Sequence, residues 1–193
     1  MNEVERPGVD AIIRRAEPGD ASGLARVHTL GWQQGYADLL PADFLARRVV
    51  SSQSWLGWLS RPLQRSEVFV AEVGGEVVGF TLVGPAREDP APNEFEVAEL
   101  KAIYLLAEFW GRGIGYRLHQ AGLVAMARLG YRRAELTVLA GNRRTREFYR
   151  RQGWVDDEAE TELDIGGVTA RVRRLRHDLT SSVSDPDQSS SVR

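Results

Sequence analysis

The chain contains no cysteine, which removes disulfides, thiolate metal ligands and cysteine nucleophiles from the chemistry it can perform. It has three histidines, His28, His119 and His177, and their scattered positions offer no metal-ligand spacing. Lysine is almost missing: Lys101 is the only one, and arginine carries the rest of the positive charge. That skew reads first as genome composition. No apolar run approaches the length of a membrane span, and residues 1–10 are polar, with no apolar signal core. The net charge of −2 supplies no global basic field that would draw the chain to nucleic acid or to a membrane surface. These absences lead to the expectation of a cytoplasmic protein with no metal, no nucleic-acid partner and no membrane partner.

The 193 residues, 42% of them hydrophobic, are enough for one domain with a full-sized core. Residues 1–10 read as a loose lead, 11–179 as the domain, and 180–193, rich in Ser, Asp and Gln, as a disordered tail. Within the domain, Ile12 to Arg15 is a short strand. Asp20 is placed to cap a helix carrying Leu24, Val27, His28 and Trp32. Pro41 opens a helix from Ala42 to Arg48, and residues 51–66 read as another. Two β-rich runs, 68–73 and 77–83, flank the turn Gly74-Gly75. Residues 84–94 form a loop, and 96–106 a strand. Then come a glycine-rich stretch and a helix to Leu129, stopped by Gly130. Ile114, Leu118, Ala121, Ala125 and Leu129 share one face of that helix. A strand at 134–139 follows, then a helix opened by Asn142 and ended by Gly153. Two last strands, near 154–161 and 168–178, flank Gly166-Gly167. This order predicts an α/β (α+β) fold, a mixed sheet covered by helices.

The unit that carries chemistry is strand, glycine loop, helix. A helix start has unpaired N–H groups and a partial positive charge, and glycine lets an anion approach that backbone closely. Gly111, Gly113 and Gly115 lie at alternate positions before an amphipathic helix, which suits a diphosphate. The same pattern also fits a helix entry that merely packs tightly. A Walker A loop is excluded, because no Gly-Lys-Ser/Thr is present. A dinucleotide loop fits poorly, because Tyr116 stands where its last glycine would fall.

The stretch from Glu99 to Trp154 resembles the general N-acetyltransferase (GNAT) superfamily. Three pieces match in order: Ile103 to Gly115, the strand Leu136-Thr137-Val138-Leu139, and Asn142 to Trp154, which is similar to the family's N-x-x-A-x-x-F-Y-x-x-x-G-F. The run from Arg14 to Asp20, with His28, Trp32, Tyr36 and Leu40-Pro41, also looks like one GNAT branch. The resemblance spans residues 12 to 178. It departs from the family at Trp110, where Gln or Arg is usual, and at Ala107, where proline is frequent.

The resemblance implies a GNAT-type fold, a mostly antiparallel central sheet of about six to seven strands flanked by helices. It also implies acetyl transfer from acetyl-CoA to a primary amine of a small molecule or peptide. The backbone of Ile103, Tyr104 and Leu105 would align the pantetheine arm, with the Leu105 N–H as oxyanion donor. The amides of Gly111, Arg112, Gly113, Ile114, Gly115 and Tyr116 would hold the pyrophosphate. Asn142 would bond the pantetheine or cap its own helix. Tyr149 would be the general acid at sulfur or a ring packed beside Phe148, and Glu99 the base, a partner for Lys101 or a solvated charge. Period-two alternation puts Glu99, Lys101, Ile103 and Leu105 on one strand face. Trp32 and Tyr36 would line the acceptor pocket or pack as core aromatics. The Arg-rich stretch 143–151 reads as a solvated face, with one or two arginines near the 3′-phosphate. Other readings of the same fold are a non-catalytic acyl-CoA sensor and a partner protein using a sheet edge. A homodimer through the C-terminal strands is left open.

Overall fold

The computed structural model describes residues 10–61, 64–86 and 97–180. The elements run β1 (Ile12–Arg15), α1 (Ala21–Gly35), α2 (Ala42–Arg47), α3 (Ser52–Ser60), β2 (Glu67–Val73), β3 (Glu76–Pro85), β4 (Val97–Leu105), α4 (Ile114–Arg128), β5 (Arg133–Leu139), α5 (Arg143–Arg151), β6 (Val155–Asp164) and β7 (Thr169–Asp178). This is the order predicted from sequence. The seven strands form one sheet in the order β1-β2-β3-β4-β5-β7-β6. Every neighbouring pair is antiparallel except β4 with β5. The expected tail beyond Thr180 and most of the expected loop, at 87–94, lie outside the described residues; the loop's first residues, Gly84 and Pro85, extend β3.

Helices α4 and α5 cover one face of the sheet. Their core includes Leu100, Leu123, Met126, Leu136, Tyr149, Trp154 and Leu175. On α4, Ile114, Leu118 and Ala125 are buried as expected, while Ala121 and Leu129 are only half-buried. The buried stripe is wider than predicted and takes in His119, Gly122, Leu123 and Met126. Helices α1 and α3 cover the opposite face, where Leu24, Val27, Trp55, Val70 and Phe80 pack together. At Gly31 the helix α1 comes so close to β4 that a Cβ would lie 2.6 Å from the Tyr104 ring. Glycine there sets the depth at which α1 rides on the sheet.

Two local expectations change. Asp20 precedes α1, but its carboxylate does not cap that helix. It turns back to accept from the Glu17 N–H at 2.7 Å and from the Arg14 guanidinium at 2.7 and 2.8 Å. The Arg14 contact holds the Asp20 carboxyl below the usual range, so the acid ties β1 to the start of α1. The second change is in β4. Leu82 pairs with Ala102 but Val83 pairs with Leu100, so Lys101 is an extra residue, a β-bulge. The bulge breaks the period-two alternation expected from Glu99 to Leu105. Leu100 faces α4 below it and Leu105 faces α4 above it, while Ala102 and Tyr104 face α1.

Candidate active site

Strands β4 and β5 pair only through Val97–Glu99 and Arg133–Glu135. Beyond that point β4 stays with β3 as far as Leu105, and β5 stays with β7 as far as Leu139. The two strands part just where the bulge at Lys101 adds local twist. A cleft of about 1020 Å³ opens between them, lined by Lys101 to Leu105 on one side and Leu136 to Val138 on the other.

Pairing also fixes which backbone groups face this cleft. Along an antiparallel strand, successive residues direct their N–H and C=O groups to alternate sides. Leu106 N–H donates to the Val78 carbonyl, so Leu105, and with it Ile103, turns its groups away from β3 and towards the gap. The Leu105 carbonyl accepts a 2.7 Å bond from the Trp110 indole N–H. Trp110, the departure noted in the sequence, therefore braces the loop to the strand with an indole N–H. Its ring in turn carries the Arg144 guanidinium at 3.8 Å, so the pair joins the β4–α4 loop to the start of α5.

At the head of α4, Gly111 and Gly113 take left-handed φ values of 75° and 76°, which only glycine adopts without strain. A Cβ on Gly111, Gly113 or Gly115 would meet nothing within 4 Å. A glycine-rich entry serving close packing would have neighbours there, and none of the described residues supplies one. The space beside Gly111, Gly113, Gly115 and Tyr116 is the cleft itself. Arg117 N–H makes the first helical bond, to the Gly113 carbonyl, so the amides of Ile114, Gly115 and Tyr116 have no partner within the helix. They stand at the positive end of the helix dipole, an arrangement chemically suited to an anion. The side chains of Arg112 and Ile114 do not line the cleft. Ile114 is buried against Val78 and Leu118, and Arg112 lies 5.9 Å from the Phe109 ring.

Asn142 lines the cleft and also caps α5, its Oδ1 accepting from the Thr145 N–H at 3.1 Å. Tyr149 reaches the cleft from the α4–α5 face with only 4% of its surface exposed. Burial pushes its phenol far above the usual range, so it is a neutral hydrogen-bond donor at any physiological pH. Tyr36 and Tyr104 come to the same cleft from the α1 face. Their rings stand edge to face with centroids 6.5 Å apart, and burial raises both phenols. The charge of Tyr36 would be felt by the Tyr149 phenol, and that of Tyr149 by the Tyr104 phenol. The parting of β4 from β5 thus lets groups from opposite faces of the sheet meet.

The remaining sequence candidates stand further back. Glu99 bonds Lys101 Nζ at 2.9 Å, and the same nitrogen donates to the Pro85 carbonyl at 2.6 Å. Lys101 lines the cleft and Glu99 does not. Trp32 packs behind Tyr36, with ring centroids 4.9 Å apart, and also stays out of the cleft lining. Two features escaped the sequence reading. Lys101 is in the cleft because of the bulge, which alternation cannot reveal. Beneath Tyr149, the fully buried His119 accepts a 2.8 Å bond at Nε2 from the Trp154 indole. Burial lowers the His119 pKa to about 4, so this imidazole is neutral and its proton sits on Nδ1. Among the described residues no cluster of His, Asp or Glu could hold a metal ion, and no helix is long and apolar enough to cross a membrane.

Known proteins carry the same plan. The chain superposes on the structure of yncA from Salmonella typhimurium, a putative acetyltransferase solved with its cofactor acetyl-CoA. The TM-score is 0.72 at 18% identity, covering 95% of this chain and 98% of that one. It also superposes on the PaiA N-acetyltransferase of Thermoplasma acidophilum in complex with coenzyme A, with a TM-score of 0.66 at 20% identity and coverage of 88% and 99%. In sequence it is 34% identical over 144 residues to an uncharacterized N-acetyltransferase of Archaeoglobus fulgidus, 72% of this chain and 90% of that protein. It is 33% identical over 120 residues to the uncharacterized N-acetyltransferase YuaI of Bacillus subtilis, 62% of this chain and 66% of that protein. The sequence model of the Acetyltransferase (GNAT) family matches residues 31–154, a span that holds the cleft, the glycine loop, Asn142 and Tyr149; the chain belongs to the GNAT acetyltransferase family.

Proposed function

We propose that the chain transfers the acetyl group of acetyl-CoA directly to a primary amine of a small molecule or peptide, in the cleft between β4 and β5. The observation that carries this reading is the joining, in one cleft, of an unpaired strand edge, an anion cradle and a buried neutral tyrosine. The amides of residues 111–116 suit the diphosphate, and the edge groups of Ile103 with the Leu105 N–H suit the amides of the pantetheine arm. The Leu105 N–H is the proposed donor to the thioester oxygen as negative charge develops there. The amine nitrogen attacks the thioester carbon, the carbon–sulfur bond breaks, and the leaving sulfur takes a proton from Tyr149. The proton lost by the amine passes to Glu99. Because Glu99 is bonded to Lys101 and stands outside the cleft lining, it acts through water rather than by touching the amine.

The test is release of free thiol from acetyl-CoA in the presence of a broad amine panel. Amine-dependent release, with a matching acetylated product, is the expected result. Tight acetyl-CoA binding with no turnover of any amine would replace this reading with that of a non-catalytic sensor.

A further inference from the structure

Next to Trp32, outside the cleft lining itself, stands an arginine that pairs with no carboxylate among the described residues. Arg48 follows α2, and its guanidinium carbon lies 3.8 Å from the Trp32 ring centroid and 5.8 Å from that of Phe44. Its Nη1 is 3.8 Å from the place a Cβ on Gly166 would take, at the tip of the β6–β7 hairpin. Its Nε is buried without a hydrogen-bond partner, and no described carboxylate forms an ion pair with it. Arg14 and Arg173, also half-buried, are ion-paired, the first with Asp20 and Glu72 and the second with Asp156 and Glu160, whereas Arg112 shares a buried Nε without a partner.

Arg48 is not alone in this. Among the described residues six buried polar side-chain atoms have no partner, and four belong to one neighbourhood: Arg48 Nε, Trp32 Nε1, Trp55 Nε1 and His28 Nδ1. Arg48 and Trp32 are in direct contact, and His28 and Trp55 are linked to them through the rings of Tyr104 and Tyr36, whose centroids are 6.5 Å apart. His28 lies 5.8 Å from Trp55 and 5.2 Å from Tyr104, and Trp32 lies 4.9 Å from Tyr36. Three of the four atoms are N–H groups that can only donate. Burial, with the charge of Arg48 as the second cause, lowers the His28 pKa to about 4, so the histidine adds no positive charge. Buried donors left unmade are costly. The group that satisfies a planar guanidinium and neighbouring N–H donors is one with acceptor lone pairs only and a negative charge, an oxyanion. The charge of Arg48 also reaches Tyr36 and Tyr104, which line the cleft.

We infer that Arg48 reads an oxyanion on the acceptor, so that the preferred amines carry a carboxylate or a phosphonate rather than being simple alkyl amines or polyamines. This inference rests on the transfer reading above and deepens it. Carboxylate and phosphonate share the chemistry that Arg48 selects. The aromatic wall formed by Trp32, Phe44 and Tyr36 limits what surrounds that group.

The experiment compares amines of graded chain length, each prepared as the carboxylate, the phosphonate and the uncharged amide, with wild type, Arg48→Gln and Arg48→Lys. Turnover is measured as kcat/KM, and binding of each compound by calorimetry without acetyl-CoA. The expected result is a preference of about 100-fold for an anionic member over its amide, the size of a charged hydrogen-bonded contact. That preference should collapse in Arg48→Gln through KM, survive in part in Arg48→Lys, and leave the KM for acetyl-CoA unchanged. The carboxylate and phosphonate arms tell which anion is used. Equal turnover of anion and amide by wild type overturns the inference, and needs no variant to fold. Arg48-dependent anion binding without turnover keeps the anion site and removes the transfer reading. Calorimetry that shows no Arg48-dependent anion binding, together with no turnover, overturns both.

Discussion

The glycine loop at the head of α4 and the aromatic wall around Tyr36 meet the same cleft, yet they are assembled differently. The loop works through backbone: two left-handed glycines, three unpaired amides and a strand edge, all within the fourteen residues from Ile103 to Tyr116. The wall works through side chains drawn from α1, the end of α2, β4 and the tip of the β6–β7 hairpin. On the proposed function the loop meets a diphosphate, which is common to every acyl-CoA, so a local backbone device suffices. An acceptor differs from one enzyme to another, and side chains on separate segments can change without disturbing the loop.

The expected effects sharpen that contrast. The largest falls on Tyr149, which stands where the two halves meet. Tyr149→Phe should lower kcat by about 100-fold or more, the range for a general acid, with acetyl-CoA affinity retained; stopped-flow thiol release measures it. An unchanged kcat across pH would remove Tyr149 from its role. On the loop side, Gly113→Val should both destabilise the fold by about 1–2 kcal/mol, because of its left-handed φ, and weaken CoA binding. Gly115→Val has no such backbone constraint and no protein neighbour. It should therefore leave Tm nearly unchanged while CoA affinity falls. If both variants lose the same stability, the loop is a packing device after all.

Beneath the cleft, His119 gives a pH test. Its folded pKa is lowered from 6.5 to about 4, so below pH 6.5 the unfolded chain binds a proton that the folded chain does not. Stability therefore falls as pH drops from about 6.5 towards 4, by about 3 kcal/mol for this shift, and protonation would also remove the acceptor for the Trp154 indole. Urea denaturation at pH 7 and pH 4.5 should show this loss, and His119→Gln should flatten its share of the slope. A smaller effect is expected at Trp110. Trp110→Phe keeps a ring beneath Arg144 but loses the bond to the Leu105 carbonyl, a loss of about 1 kcal/mol that chemical denaturation resolves.

The same contrast explains what could be read from the sequence. Helix periodicity, the glycine pairs and the Asn142-to-Gly153 frame gave the element order, and the glycine loop at the head of α4 was legible because it is contiguous. The bulge at Lys101 was not, since an inserted residue leaves no mark in composition and reverses the alternation on which face assignments depend. Asp20 looked like a cap because its type and position suit one, yet a partner six residues away, Arg14, drew it off. Arg48 carried no signal at all. It is one arginine among many, and only the packing of Trp32, Phe44 and Gly166 around it sets it apart.

The most direct test of the cleft as the acyl-CoA site is amide hydrogen exchange on β4, followed residue by residue with and without acetyl-CoA. The Ile103 and Leu105 N–H groups face the gap and have no strand partner there. On adding acetyl-CoA both should become strongly protected, as should the amides of Ile114, Gly115 and Tyr116, while Tyr104, already bonded towards β3, changes little. Saturating acetyl-CoA with no added protection at Ile103 and Leu105 would contradict the assignment.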